Sequence, residues 1–202
     1  MFDETIIDLL RYGKPAPGHR FADSLNDPLR AIGWSHLRGA TRIVAPWQQV
    51  ISPPDESCCE VAQRLARQYR VSSHTYAGFS EMDFGPLQAQ DLDELMANPD
   101  SDLQRFWANP LESDPPGDES LLEFQGRVLA TWNQLLDECG GQHVLMVCPA
   151  SVQRVLVGKA LGKPLQELFQ LATPYAGLSR ISVVKEGGGD DRTALLFQSG
   201  VC

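Results

Sequence analysis

The stretch VLMVCPASVQRVLVGKALG (Val144–Gly162) holds the pattern that decides the fold. Its first five residues form a nearly continuous apolar run, as expected of a strand buried on both faces. A turn at Pro149-Ala150-Ser151 follows. Val152, Val155 and Leu156 then recur at helical spacing, with Ser151 placed to cap. A buried strand feeding a helix through a tight turn is the unit of an α/β fold.

Working outward, the same unit recurs. Ile6–Leu10 (IIDLL) is a second short apolar run, and Gln49–Ser52 (QVIS) a weaker third, followed by Val61, Leu65 and Tyr69 at spacings of four. The longest helix is expected at Glu119–Glu138, where Leu121, Phe124, Val128, Trp132 and Leu135 make one apolar stripe. Two further strands, Ile181–Lys185 and Ala194–Gln198, flank a turn at Gly187–Asp191, and Asp114–Asp118 is a loop. Strands alternating with helices imply a three-layer α/β/α sandwich with a mainly parallel central sheet. Ligands in such sheets bind beyond the carboxyl ends of the strands. Those places are Arg11-Tyr12-Gly13, Pro53–Ser57 and Pro149-Ala150-Ser151, with the loop Phe79–Gly85 (FSEMDFG) as a fourth candidate.

The 202 residues fit one domain, 1–202, and 43% hydrophobic with 21% charged residues is ordinary for a globular protein. A net charge of −9 argues against nucleic-acid and anionic-membrane partners. It leaves room for a local basic pocket. The acidic start lacks the positive n-region of a signal peptide, and no stretch has the ~20 apolar residues of a membrane span. Cys58, Cys59, Cys139, Cys148 and Cys202 show no CxxC pairing, so they are expected as reduced thiols in a cytoplasmic protein. Cys58-Cys59 is expected on the inner face of a helix. His19, His36, His74 and His143 form no HxxxH or HxH pair, so neither metal nor other cofactor is expected.

At the four junctions the sequence resembles the histidine phosphatase (phosphoglycerate mutase-like) superfamily, nearest to its α-ribazole-phosphate phosphatase branch. The resemblance runs from LLRYGKP (Leu9–Pro15) through NDPLRAIGW (Asn26–Trp34), EMDFG (Glu81–Gly85) and PPGDESLLEFQGRV (Pro115–Val128). It continues through Val144–Gly162 to PYAGLSRI (Pro174–Ile181). It implies a chemistry in which one histidine attacks phosphorus, a second histidine and arginines hold the equatorial oxygens, and a carboxylic acid protonates the leaving oxygen.

Matched position by position, the family's "RHG" motif keeps Arg11 and Gly13, but Tyr12 stands for the nucleophile. In "SSPLxR", Ser52 and Pro54 match and Ser57 replaces the arginine. In "THGG", Pro149 replaces the second histidine, and Ala150 and Ser151 the glycines. Arg11 and the candidate acid Glu81 keep family chemistry. A phenol with a pKa of about 10 is barely ionised at neutral pH. Pro149 also lacks an N–H. No catalytic residue is therefore expected to be competent. The ligand-binding candidates are Arg11, Tyr12, Ser57, Glu81 and Ala150, and His19 lies in a loop where the branch carries substrate-facing residues.

Three readings follow. The chain is a non-catalytic homologue whose site binds a small phosphorylated or other anionic ligand, or serves as a scaffold. Or it is a phosphomonoesterase of the α-ribazole-phosphate phosphatase or phosphoglycerate mutase type, with a non-standard mechanism through Tyr12, Cys148 or water. Or it assembles with itself or an active paralogue. If Tyr12 and Pro149 fill the site, the cavity is small and weakly basic; an inward Arg11 in an open cavity points to ligand binding.

Overall fold

In a computed structural model, the structure describes residues 4–13, 31–42, 47–113, 117–185 and 191–199. His19, Cys202, most of Asn26–Trp34 and of the Gly187–Asp191 turn, and 114–116 of the expected loop lie outside them. The elements in chain order are β1 (Glu4–Arg11), α1 (Ala31–Thr41), β2 (Gln49–Ser52), α2 (Glu56–Tyr69) and β3 (Ser72–Thr75). After them come α3 (Leu92–Ala97), α4 (Asp102–Ala108), α5 (Leu121–Glu138), β4 (His143–Cys148), α6 (Ala150–Ala160), β5 (Leu178–Val184) and β6 (Arg192–Ser199). The six strands form one sheet in the order β3-β2-β4-β1-β5-β6. The first four are mutually parallel, and β5 and β6 add antiparallel pairs at one edge. The expected sandwich with a mainly parallel sheet is what the chain forms.

Strand alternation divides the core. Ile7 and Leu9 of β1, with Val144, Met146 and Cys148 of β4, pack under α5 and α6. Leu10, Leu145 and Val147 pack on the other face with Val61 and Leu65 of α2 and Leu37 of α1. Both faces are covered, which is why β1 and β4 read as continuous apolar runs. The α5 stripe buries Leu121, Phe124, Val128, Trp132 and Leu135 as expected, and the helix starts at Leu121 because Ser120 and Glu123 close a capping box.

Two expectations change, for Ser151 and Cys59, and two features had no sequence signal. Strand β3, Ser72–Thr75, has no apolar signature: all four residues are exposed, and backbone bonds to β2 alone define it. Ser151 is not the cap of α6, since the helix begins at Ala150 with Pro149 as its N-cap and Ser151 sits inside the first turn. Cys58 is fully buried on the inner face of α2, but Cys59 is only half-buried. His143, at the head of β4, brings its Nε2 to 2.8 Å from the buried Asp8 carboxylate. The four described cysteines are all unpaired.

Candidate functional site

A cavity of about 370 Å³ opens beyond the carboxyl ends of β1 and β4. Its polar wall is Arg11, Tyr12, Glu81, Ser151, Arg154 and Gln170, with Ala150 beside them. Phe84, Met96, Trp107, Phe169, Leu171 and Tyr175 make most of the remainder. The site is thus open, not filled.

Arg11 is the last residue of β1 and follows Ile7 and Leu9 onto the α6 face. Its Nη1 donates to the Thr173 carbonyl. Its guanidinium carbon lies 3.7 Å from the Tyr175 ring centroid, a cation–π contact. Tyr12 alternates to the other face and packs in the core with Leu10, only 2% exposed, its ring 6.0 Å from that of Tyr175. Gly13 follows because a Cβ there would come within 2.8 Å of the Gly33 backbone, so the chain can pass α1 only as glycine.

Glu81 reaches the cavity from the loop after β3. Its Oε2 accepts the Ser151 N–H at 3.4 Å, and its Oε1 the Met82 N–H at 2.9 Å. A carboxylate from another element therefore does what a capping side chain on α6 does not, at the positive end of the helix. The loop is held by Arg127 of α5, which donates to the carbonyls of Gly78 (3.0 Å) and Ser80 (3.1 Å). Arg127 is itself oriented by a two-bond pairing with Glu119 at 2.8 and 2.7 Å. Beside Glu81 stands Asp55. Burial, and then the charge of Glu81, raises its carboxyl from 3.8 to about 6.

Of the residues expected from the sequence, Arg11, Tyr12, Glu81 and Ala150 meet at the cavity. Ser57 does not. It is buried in the first turn of α2 and is absent from the lining. Cys148 is fully buried under α6; burial, and then the charge of Glu81, pushes its thiol well above the ordinary range, so it holds no thiolate at neutral pH. None of the described histidines lines the cavity. Among the described residues no group of three His, Cys, Asp or Glu is placed to hold a metal.

Sequence reasoning missed Arg154, Trp107, Met96 and Phe169. Arg154 sits one turn into α6 and donates from Nε to the Leu171 carbonyl at 3.1 Å. Burial, and then the charge of Arg11, brings its guanidinium down to about 10, against a pull upward from Glu81. It stays charged at neutral pH. The available signal was a lone cation in the run Val152–Val157, which is otherwise apolar but for Gln153. Trp107 and Phe169 carried no such signal, because aromatic residues most often report the core.

A family model described as "Histidine phosphatase superfamily (branch 1)" matches residues 9–192. A protein of Mycobacterium tuberculosis called bifunctional is 26% identical over 201 residues, covering 97% of this chain and 54% of its own length. The chain thus spans about half the length of the curated relatives it matches. Among solved structures, mycobacterial glucosyl-3-phosphoglycerate phosphatase superposes with a TM-score of 0.81 at 15% identity, covering 97% of this chain and 99% of that one. The α-ribazole phosphatase of Shigella flexneri gives a TM-score of 0.69 at 18% identity, covering 87% and 89%. No described helix is long and apolar enough to cross a membrane. With the family model spanning most of its length and this sheet beneath it, the chain belongs to the histidine phosphatase superfamily, branch 1.

Proposed function

We propose that this chain is a histidine-phosphatase homologue without phosphohydrolase activity, whose strand-end cavity holds a small anionic ligand. One observation carries the reading. The cavity is open and keeps two guanidiniums, Arg11 and Arg154, while the residue at the nucleophile's place is a buried tyrosine. The guanidiniums supply anion recognition. The attacking group and its helpers are what the site lacks. A phenol needs neighbouring cations to ionise, and Ser57 brings none. Pro149 offers neither a side-chain donor nor an N–H to a transferring phosphoryl group. Glu81 is engaged with the Ser151 N–H, which suits a structural acceptor.

The rival is a phosphomonoesterase with a non-standard mechanism, the class named by the phosphatases of similar fold. The test is turnover of an aryl phosphate and of α-ribazole phosphate by the native chain, beside the triple variant Tyr12→His, Ser57→Arg, Pro149→His. The native chain is expected to be silent. Native turnover abolished by Tyr12→Phe would sink the reading. Activity gained by the triple variant would support an intact pocket that has lost only its chemistry.

A further inference from the structure

The cavity has an apolar side that an inorganic anion would leave unused. The Trp107 and Phe169 rings stack, 16° from parallel with centroids 5.8 Å apart. The Arg154 guanidinium carbon lies 5.8 Å from each centroid. Phe84 and Met96 extend this wall. On the same lining, the Trp107 indole N–H and Arg11 Nε are buried and have no hydrogen-bond partner within the protein. Native interiors pair nearly all such donors, so the fold leaves two donors beside the cavity unpaired.

The charges set the ligand's valence. Two guanidiniums, Arg11 and Arg154, face one carboxylate, Glu81, leaving one excess positive charge on the lining. A monoanion balances that; a phosphate dianion does not. A guanidinium fork matches the flat two-oxygen edge of a carboxylate. About 370 Å³ suits a one- or two-ring molecule.

Building on the anion-binding reading above, we propose that the cavity recognises an aromatic monocarboxylate, its carboxylate held by Arg11 and Arg154 and its ring lying against Trp107 and Phe169. The two ends of the ligand are then read by different chemistry: the charge by the arginines, the ring by dispersion and edge contacts with the aromatic wall.

Isothermal titration of the full chain at neutral pH tests this with five probes: phenylacetate, acetate, phenyl phosphate, inorganic phosphate and benzyl alcohol. Phenylacetate is expected to bind at least about tenfold more tightly than the other four. Arg154→Gln is expected to weaken it by about tenfold or more, with Arg154→Lys recovering only part because the fork is lost. Thermal melts verify that the variants fold, and the ranking of probes on the native chain stands whether or not Arg154→Gln does. Phosphate or phenyl phosphate binding as tightly as phenylacetate overturns the carboxylate assignment and leaves anion binding standing. Benzyl alcohol matching phenylacetate overturns recognition by charge. Silence from every anion overturns this proposal together with the anion-binding reading.

Discussion

Arg11 sits over the ring of Tyr175, its guanidinium carbon 3.7 Å from the ring centroid. The contact joins the end of β1 to the loop before β5. Two backbone bonds brace it: Arg11 N–H to the Gly177 carbonyl at 3.0 Å, and Ala176 N–H to the Tyr12 carbonyl at 3.1 Å. Ala176 takes a left-handed φ of 54° between them, which this bracing has to hold against steric cost. The guanidinium is therefore aimed before any ligand arrives, which spares the cost of ordering it on binding.

Removing the ring should loosen that aim. Tyr175→Leu is expected to weaken phenylacetate binding by about three- to tenfold, the worth of a cation–π contact. Tyr175→Phe keeps the ring face and is expected to stay within about twofold. Titration calorimetry on the two variants checks this, and equal losses in both would shift the credit to the hydroxyl.

Asp55 gives a pH signature of opposite sign to that of most carboxylates. Its folded value of about 6 lies above the ordinary 3.8. Between those values the folded chain keeps a proton that the unfolded chain has released, so stability falls as pH rises through this window and is level above it. Asp55→Asn removes the penalty. At pH ~7 the variant is expected to be more stable by about 1 kcal/mol, allowing for solvent screening of a partly exposed group, and at pH ~4 the gain should vanish. Urea unfolding at the two pH values is the measurement; the same gain at both would refute the assignment.

Asp8 behaves in the usual direction. Its buried carboxylate accepts from Trp47 Nε1 at 2.7 Å and from Arg180 at 2.7 and 3.0 Å, beside His143 Nε2. Burial works to raise its pKa, but the hydrogen bonds of His143, Arg180 and Trp47 outweigh burial and hold it below 3.8. That stability is present above the ordinary carboxylate value and lost as pH falls through the folded one. Asp8→Asn is expected to cost about 3 kcal/mol at neutral pH, the scale of breaking a buried pair. The cost should shrink in acid. A variant as stable as the native chain at neutral pH would show the network to be dispensable.

Gly78 marks where the Glu81 loop meets α5. A Cβ there would fall 1.8 Å from Thr131 Oγ1 and 2.9 Å from its Cβ. Gly78→Ala is expected to destabilise by about 1–3 kcal/mol, as overpacking does. Combining it with Thr131→Ala should recover part of the loss, because only the hydroxyl and methyl are removed while the Thr131 Cβ stays. Thermal unfolding of the single and double variants reads the coupling, and strict additivity would mean that the two residues do not collide.

The sequence by itself determined the layering and the address of the site. Runs such as Ile6–Leu10 and Val144–Cys148 are too apolar for one wet face, so helices had to cover both. Each run ends in a turn, which placed Arg11, Tyr12 and Ala150 at one end of the sheet. Glu81 was legible through its motif. Only the tertiary structure decided what that end of the sheet became. Helix register turned Arg154 inward, and residues dozens of positions apart, Trp107 and Phe169, closed the wall beside it. Strand β3 was invisible because its polar residues bury nothing and are defined by backbone bonds alone. Ser57 fell outside the cavity because the first turn of α2 points it into the core. Local patterning states which face of an element is buried, whereas a pocket is made by side chains from several elements whose directions are set only when those elements pack.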